Sequence, residues 1–117
     1  MVDNKGILLN GNAAIASGNN EGFLSLCLED TVWTFVGERT LYGKEAVRQW
    51  MKKTYTEPPN FQVENLIAEG DFVTAVGKIK MKDESGKMAD YSYCDLWRFR
   101  EGKIAELKAF VIRNESV

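Results

Sequence analysis

The sequence contains no histidine among its 117 residues. Histidine is the commonest general base at neutral pH, the usual zinc ligand and the proton carrier of serine–histidine triads. Active sites with a histidine base, zinc sites with histidine ligands and serine–histidine triads are therefore excluded. No cysteine pair has metal-ligand spacing, and no glycine-rich loop fits a nucleotide phosphate. We therefore expect neither a metal ion nor a cofactor.

Cysteines are few, and long apolar runs are missing. Cys27 and Cys94 each lie in an apolar stretch, which favours buried thiols in a reducing compartment over a disulfide framework. No stretch reaches transmembrane length, and residues 1–5 lack the layout of a signal peptide. A net charge of −2 gives no sign of a nucleic-acid or membrane-surface partner. The sequence thus predicts a cytoplasmic protein that binds neither nucleic acid nor a membrane.

The residues that are present predict one domain over 1–117, with helices first. Apolar residues at helical spacing indicate a first helix around Ile7–Ile15 and a second that carries Phe23, Leu24, Cys27 and Leu28. A β-branched and aromatic run predicts a strand over 31–36, and residues 37–43 are interpreted as a connection. A third helix is expected over 44–55.

The second half has the pattern of a β meander. Four strand-like runs lie at about Phe61–Ala68, Phe72–Lys82, Met88–Arg100 and Lys103–Arg113, with glycine-containing turns between them. Helices followed by an antiparallel sheet are typical of the α+β class, so we expect three helices packed on one face of a curved sheet.

Alternation along the strands places one carboxylate on the inner face of this sheet. The odd positions of the third run are aromatic or apolar except for Asp95. Neighbouring inner positions include the small residues Ala75, Gly77 and Ala109, which would leave room for a cavity. Two interpretations stay open, because helix side chains could instead fill that space.

A carboxylate that is buried among aromatic side chains and stays ionised destabilises the fold by roughly several kcal/mol, because it loses its contact with water. A protonated Asp95 could donate a hydrogen bond to a developing oxyanion, as catalytic aspartic acids do in apolar sites. The alternative is a structural role in which Asp95 accepts from Tyr93, Tyr55 or a backbone amide. Tyr93, two residues away on the same face, is the candidate polar partner.

The order of elements and three segments resemble the SnoaL-like and ketosteroid-isomerase-like branch of the nuclear transport factor 2 superfamily. These segments are residues 24–33, 41–47 and 94–104. The resemblance implies a cone-shaped α+β barrel that encloses a pocket and a homodimer formed through the outer sheet face. The candidate ligand-binding residues are Thr34, Met51, Tyr55, Met81, Trp97, Phe99, Leu107, Ala109 and Val111.

The catalytic positions of the family transfer only in part. Asp95 matches the aspartate that stabilises the oxyanion in ketosteroid isomerases, and Tyr93 joins it as a candidate catalytic residue. The general base of those enzymes falls at Thr34, which cannot carry a proton between carbons. The first-helix tyrosine of the family falls near Asn10 or Gly11.

The residues and the family resemblance are compatible with three functions. The protein could be an isomerase- or cyclase-type enzyme that uses Asp95 on a small apolar or aromatic molecule. It could equally be a ligand-binding module without chemistry, or an interaction domain whose sheet binds a partner. A second titratable group near Asp95 would favour catalysis.

Overall fold

Helices and strands are resolved over residues 3–114 in a computed structural model. The helices are α1 (Asn4–Ala16), α2 (Asn20–Leu24) and α3 (Lys44–Thr54). The strands are β1 (Cys27–Phe35), β2 (Arg39–Tyr42), β3 (Asn60–Glu69), β4 (Phe72–Lys82), β5 (Met88–Arg100) and β6 (Lys103–Arg113). The ends of the predicted domain, residues 1–2 and 115–117, lie outside the described residues, as does the start of the segment tested for a signal peptide.

The six strands form one curved sheet in the order β2-β1-β6-β5-β4-β3. All neighbours are antiparallel except β1 and β6, which run parallel, so the sheet is mixed. The sheet curls into a cone-like shape without closing, since β2 and β3 remain as edges. The predicted α+β class and curved sheet are confirmed.

The bounds of β4, β5 and β6 agree with the prediction, because a glycine-containing turn precedes each of these strands. The prediction failed around α2. Cys27 and Leu28 belong to β1 and not to a second helix. The reason is a contact distant in sequence: the Ile104 amide donates to the Leu26 carbonyl at 2.9 Å and draws this segment into the sheet.

The connection predicted over 37–43 contains a further strand. β2 is only four residues long and pairs antiparallel with β1, Trp33 opposite Leu41. Gly37, with φ of 87°, makes the reversal between the two strands. Four residues are too few to show a periodic pattern, so pairing with β1 defines this strand.

The predicted inner face is confirmed along β4, β5 and β6. Val73, Ala75, Tyr93, Trp97 and Leu107 are buried, whereas the alternate positions point away from the helices. The helices cover this face and bury their own apolar side chains against it; Leu8, Leu24, Val47 and Met51 are among the least exposed. Such burial contributes about 1.5–3 kcal/mol for each large apolar side chain.

Cys94 corrects one expectation about the thiols. Cys27 is buried as predicted, but Cys94 is exposed because it occupies an even position of β5, on the outer face. Both are free. Separately, none of the helices over residues 3–114 combines the length and the apolar character needed to cross a membrane.

Candidate functional site

A cavity of about 500 Å³ lies between the helices and the inner face of the sheet. Helix α3 contributes Trp50 and Met51 to its wall, and the shorter α2 contributes Phe23. Nine of the residues predicted from the sequence line it: Met51, Tyr55, Met81, Tyr93, Asp95, Trp97, Leu107, Ala109 and Val111. The helix side chains therefore leave the space over the sheet open.

Small neighbours give the cavity access to Asp95. In the sheet, Asp95 pairs with Ala75 of β4 on one side and with Ala109 of β6 on the other. Both alanines are buried and line the cavity. Because neither extends beyond a methyl group, the Asp95 carboxyl is the longest side chain in its row of three and faces the open space.

The Asp95 carboxyl has an unusual electrostatic environment. Its Oδ1 is buried and has no hydrogen-bond partner. Burial alone raises the pKa of Asp95 from 3.8 to about 7, because removal from water disfavours the charged form. The carboxyl is therefore close to half-protonated at neutral pH.

Two tyrosines stand close enough to Asp95 for its charge to affect them. Burial first, and then the charge of Asp95, raise the pKa of Tyr55. Burial, Asp95 and Glu64, in that order, raise the pKa of Tyr93 to about 12. Both phenols consequently keep their protons at neutral pH, where they can donate hydrogen bonds but cannot serve as bases.

The predicted Tyr93–Asp95 hydrogen bond is not what the structure shows. The Tyr93 hydroxyl donates to the backbone carbonyl of Gln62 at 3.4 Å. It reaches that carbonyl because Gly77 lies between them without a side chain: a Cβ there would lie 2.8 Å from the Tyr93 hydroxyl. With its single proton directed to β3, Tyr93 contributes surface to the cavity and leaves Asp95 without this partner.

Two predicted ligand-binding residues do not line the cavity. Thr34 points to the opposite side of β1 from Trp33 and Phe35, and its hydroxyl accepts from Thr40 at 3.4 Å. Phe99 is almost fully buried in the hydrophobic core, beyond a register shift in β5 between Arg98 and Phe99. Strand alternation explains why Thr34 faces away from the cavity. Phe99 lies next to the register shift in β5.

Sequence reasoning missed Trp33, although alternation in β1 contains the signal for it. Trp33 is buried, lines the cavity, and has an indole Nε1 without a hydrogen-bond partner. Its ring contacts three aromatic rings, those of Phe23, Trp50 and Trp97, with centroids 5.5 to 6.3 Å apart. The odd positions of β1 carry this signal, whereas the family position, Thr34, lies on the other face of the strand.

The remaining carboxylates of the cavity lie in turns at its rim. They are Glu38, Asp83 and Glu84. Hydrogen bonds, led by the one from the Ser85 hydroxyl, lower the pKa of Asp83 to about 2, and Arg113 pairs with it at 3.1 Å. These charges stay in contact with water or with cations, so Asp95 differs from them in being enclosed.

Solved structures with this fold match the chain along most of its length. An NTF2-like protein of unknown function from Cytophaga hutchinsonii is 23% identical, with a TM-score of 0.75 over 91% of this chain and 96% of that one. A protein from Shewanella putrefaciens assigned as a SnoaL-like polyketide cyclase is 12% identical, with a TM-score of 0.81 over 96% and 81%. A protein with a ketosteroid isomerase-like fold from Catenulispora acidiphila, solved with trimethylamine, is 18% identical, with a TM-score of 0.77 over 89% and 83%.

These identities are low, and the likeness shows the fold. No curated protein matches the chain. The sequence profile of the SnoaL-like domain, however, matches residues 10–107, a span that includes α2, α3, the first five strands and Asp95. A cone-like sheet, a cavity on its inner face and this match over most of the sequence agree with one another: the chain belongs to the SnoaL-like domain family.

Proposed function

We propose that this protein binds a small apolar or aromatic molecule in the cavity and that Asp95 exchanges a proton with it, as in isomerase or cyclase chemistry. The observation that carries the proposal is the buried, unpartnered Asp95 Oδ1 on the wall of an aromatic cavity of about 500 Å³. Cavities of this size are typical of small-molecule sites. A pKa of about 7 matches the requirement that a general acid or base both gain and lose its proton at neutral pH.

Binding without chemistry is the second candidate function. It is favoured by the lack of a second base beside Asp95 within the described residues: Tyr55 and Tyr93 are protonated at neutral pH, and the other cavity carboxylates lie at the rim. Thr34, at the family position of the general base, faces away from the cavity. A carrier would use the same aromatic walls.

Filling the cavity tests ligand binding, the step that the catalytic and the non-catalytic candidate functions share. Ala109→Phe places a ring beside Asp95, and we expect it to weaken binding of ethylnaphthalene by at least about tenfold, since the added ring occupies the volume the probe needs. The measurement is equilibrium dialysis of the probe against the folded variant. Circular dichroism checks that the fold is retained.

Lys108→Phe is the matched control, because it adds the same ring to the exposed side of the same strand. It should bind ethylnaphthalene as the unmodified protein does. If the unmodified protein does not bind the probe, or if Ala109→Phe binds it equally well, the proposed site is wrong. Mass spectrometry of the denatured purified protein would then show whether any other molecule is retained.

We also propose that two copies of the chain pair through the outer sheet face, as the family resemblance implies. Val76, Cys94 and Phe110 form one row across β4, β5 and β6 on this face. Phe110 is 45% exposed and Ile112, two residues further along β6, is 68% exposed. Apolar side chains that protrude from one face favour contact with a protein surface.

Light scattering should therefore give the mass of a dimer at micromolar concentration. Phe110→Lys should shift the mass toward the monomer, because a charge buried between two subunits is costly. Tyr42→Lys, which changes an exposed aromatic residue on the edge strand β2, should leave the dimer intact. A monomeric mass for the unmodified protein would contradict the proposal.

A cytoplasmic location is proposed on the state of the cysteines. Both thiols are free, and Cys94 is exposed on the outer face. Exposed free thiols persist in reducing compartments. Cys27 is chemically quiet, since burial raises its pKa to about 12.

A further inference from the structure

Two buried polar atoms of opposite kind, in residues that line the same cavity, have no hydrogen-bond partner. Among residues 3–114, the buried side-chain atoms that lack a hydrogen bond are the indole Nε1 of Trp33, a donor, and Oδ1 of Asp95. Leaving a buried donor or acceptor unpaired costs about 1–3 kcal/mol. Native proteins keep few such atoms, and here both belong to residues that line one cavity.

The sheet register places these two side chains near each other. Trp33 pairs with Leu107, which pairs with Trp97 across β6 and β5. Asp95 lies two residues before Trp97, on the same face of β5, and the rings of Trp33 and Trp97 are 5.5 Å apart. Trp33 and Asp95 thus border the same part of the cavity floor, from strands on either side of β6.

We infer that the ligand is an aromatic molecule with a neutral group, such as a hydroxyl, that accepts from the Trp33 indole N–H and donates to the Asp95 carboxylate. This inference rests on the proposed function and adds the chemistry of the ligand to it. The aromatic part follows from the wall, where Phe35, Trp50 and Tyr55 form a continuous series of rings with centroids 4.7 and 5.3 Å apart.

While Asp95 is ionised, the chemistry of the two atoms eliminates other ligand groups. A hydrocarbon leaves both atoms unpaired. A carboxylate would accept from Trp33 but would place its charge against that of Asp95, and an ammonium could pair with Asp95 but has no lone pair for Trp33. A neutral group that both accepts and donates satisfies the two atoms together, and a hydroxyl is the smallest such group.

Matched probes test this inference separately from the existence of the site. Naphthylmethanol and ethylnaphthalene have nearly the same shape, but only the alcohol can form both hydrogen bonds. At about pH 8, where a carboxyl with a pKa of about 7 is mostly ionised, we expect the alcohol to bind about tenfold more tightly in equilibrium dialysis. The methyl ether of naphthylmethanol accepts but does not donate, and it should bind more weakly than the alcohol.

Trp33→Phe should reduce the preference for the alcohol to about threefold or less, because Phe keeps an aromatic ring at this position but has no N–H. The preference is the ratio of the two affinities, so the loss of ring area, which both probes share, does not enter it. Trp50→Phe is the matched control: it removes an indole from the same cavity, so it should affect both probes alike and preserve the preference. Thermal unfolding followed by circular dichroism verifies that both variants fold.

The outcomes separate the inference from the proposed function. If neither probe binds the unmodified protein, the proposed function fails. If both bind with equal affinity, or if the ether binds as tightly as the alcohol, the cavity exists but the inference about its polar group is wrong. The inference is also wrong if Trp33→Phe retains the full preference for the alcohol.

Discussion

Asp95→Asn should make the protein more stable at neutral and alkaline pH, by up to about 4 kcal/mol, and should change its stability little near pH 4. Burial raises the pKa of Asp95 from 3.8 to about 7, so in the folded state the carboxyl retains its proton over a range in which the unfolded chain has lost it. Asparagine imitates the protonated carboxyl in size and in hydrogen bonding. The substitution therefore removes a cost that exists only when Asp95 is ionised.

The sign follows from proton binding. Between the unfolded and folded pKa values the native state binds one more proton than the unfolded chain, so the free energy of unfolding falls as the pH rises through this window. Below pH about 4 both states are protonated and the full stability is present. Above pH about 7 the loss is complete, and a shift of about three units corresponds to about 4 kcal/mol.

Urea unfolding of both proteins between about pH 4 and pH 8 measures this difference. A carboxyl NMR titration of Asp95, assigned with the variant, should give a midpoint near 7. Asp90→Asn is the matched control: Asp90 lies on the exposed side of the same strand, 3.7 Å from Lys80, where surface ion pairs contribute only about 0–1 kcal/mol.

A uniform loss of stability at every pH would contradict the prediction and would show that the Asp95 carboxylate holds the fold together. The expected gain has a functional meaning as well. Residues that lower the free energy of unfolding at neutral pH, as Asp95 is expected to do, are characteristic of binding and catalytic sites.

Gly77→Ala should destabilise the protein by about 3 kcal/mol or more, at the upper end of the range for overpacked interiors. A Cβ on residue 77 would lie 1.9 Å from the backbone carbonyl oxygen of Gln62, a distance that no side-chain adjustment can relieve. β3 and β4 would have to separate where their register shifts between Val63 and Asn65. Glycine in a strand often marks such a close backbone approach.

Gly70→Ala is the matched control in the turn of the same hairpin. Its φ is 59° and no atom lies within 4 Å of the added Cβ, so only backbone strain of about 1–2 kcal/mol is expected. Chemical denaturation of the three proteins gives the comparison. Equal effects of the two substitutions would mean that β3 and β4 do not approach each other at Gly77 as described.

Gly77 also connects stability to the site. The missing side chain lets the Tyr93 hydroxyl reach the Gln62 carbonyl, and this leaves Asp95 without that phenol as a partner. Gly77→Ala should therefore displace Tyr93 in any molecules that still fold. The sequence showed Gly77 only as one of three small inner residues; the close approach of β3 became visible in three dimensions.

Local patterns were sufficient for much of the fold. Glycine-containing turns and two-residue alternation predicted the bounds of β4, β5 and β6 and placed Asp95 on the inner face, because both are properties of neighbouring residues. The same alternation in β1 places Trp33 and Phe35 on the inner face, whereas the family position, Thr34, lies on the opposite face.

By itself, the sequence determined the class of the fold, the inner face of the meander and the position of a single carboxylate among aromatic residues. The tertiary structure alone decided that β1 begins at Cys27 and lies parallel to β6, since that pairing joins residues 77 positions apart. It also decided that helix side chains leave a cavity open and that two residues of its wall, Trp33 and Asp95, each bury a polar atom without a partner. Packing and hydrogen-bond satisfaction depend on which distant residues come together, and no local pattern contains that information.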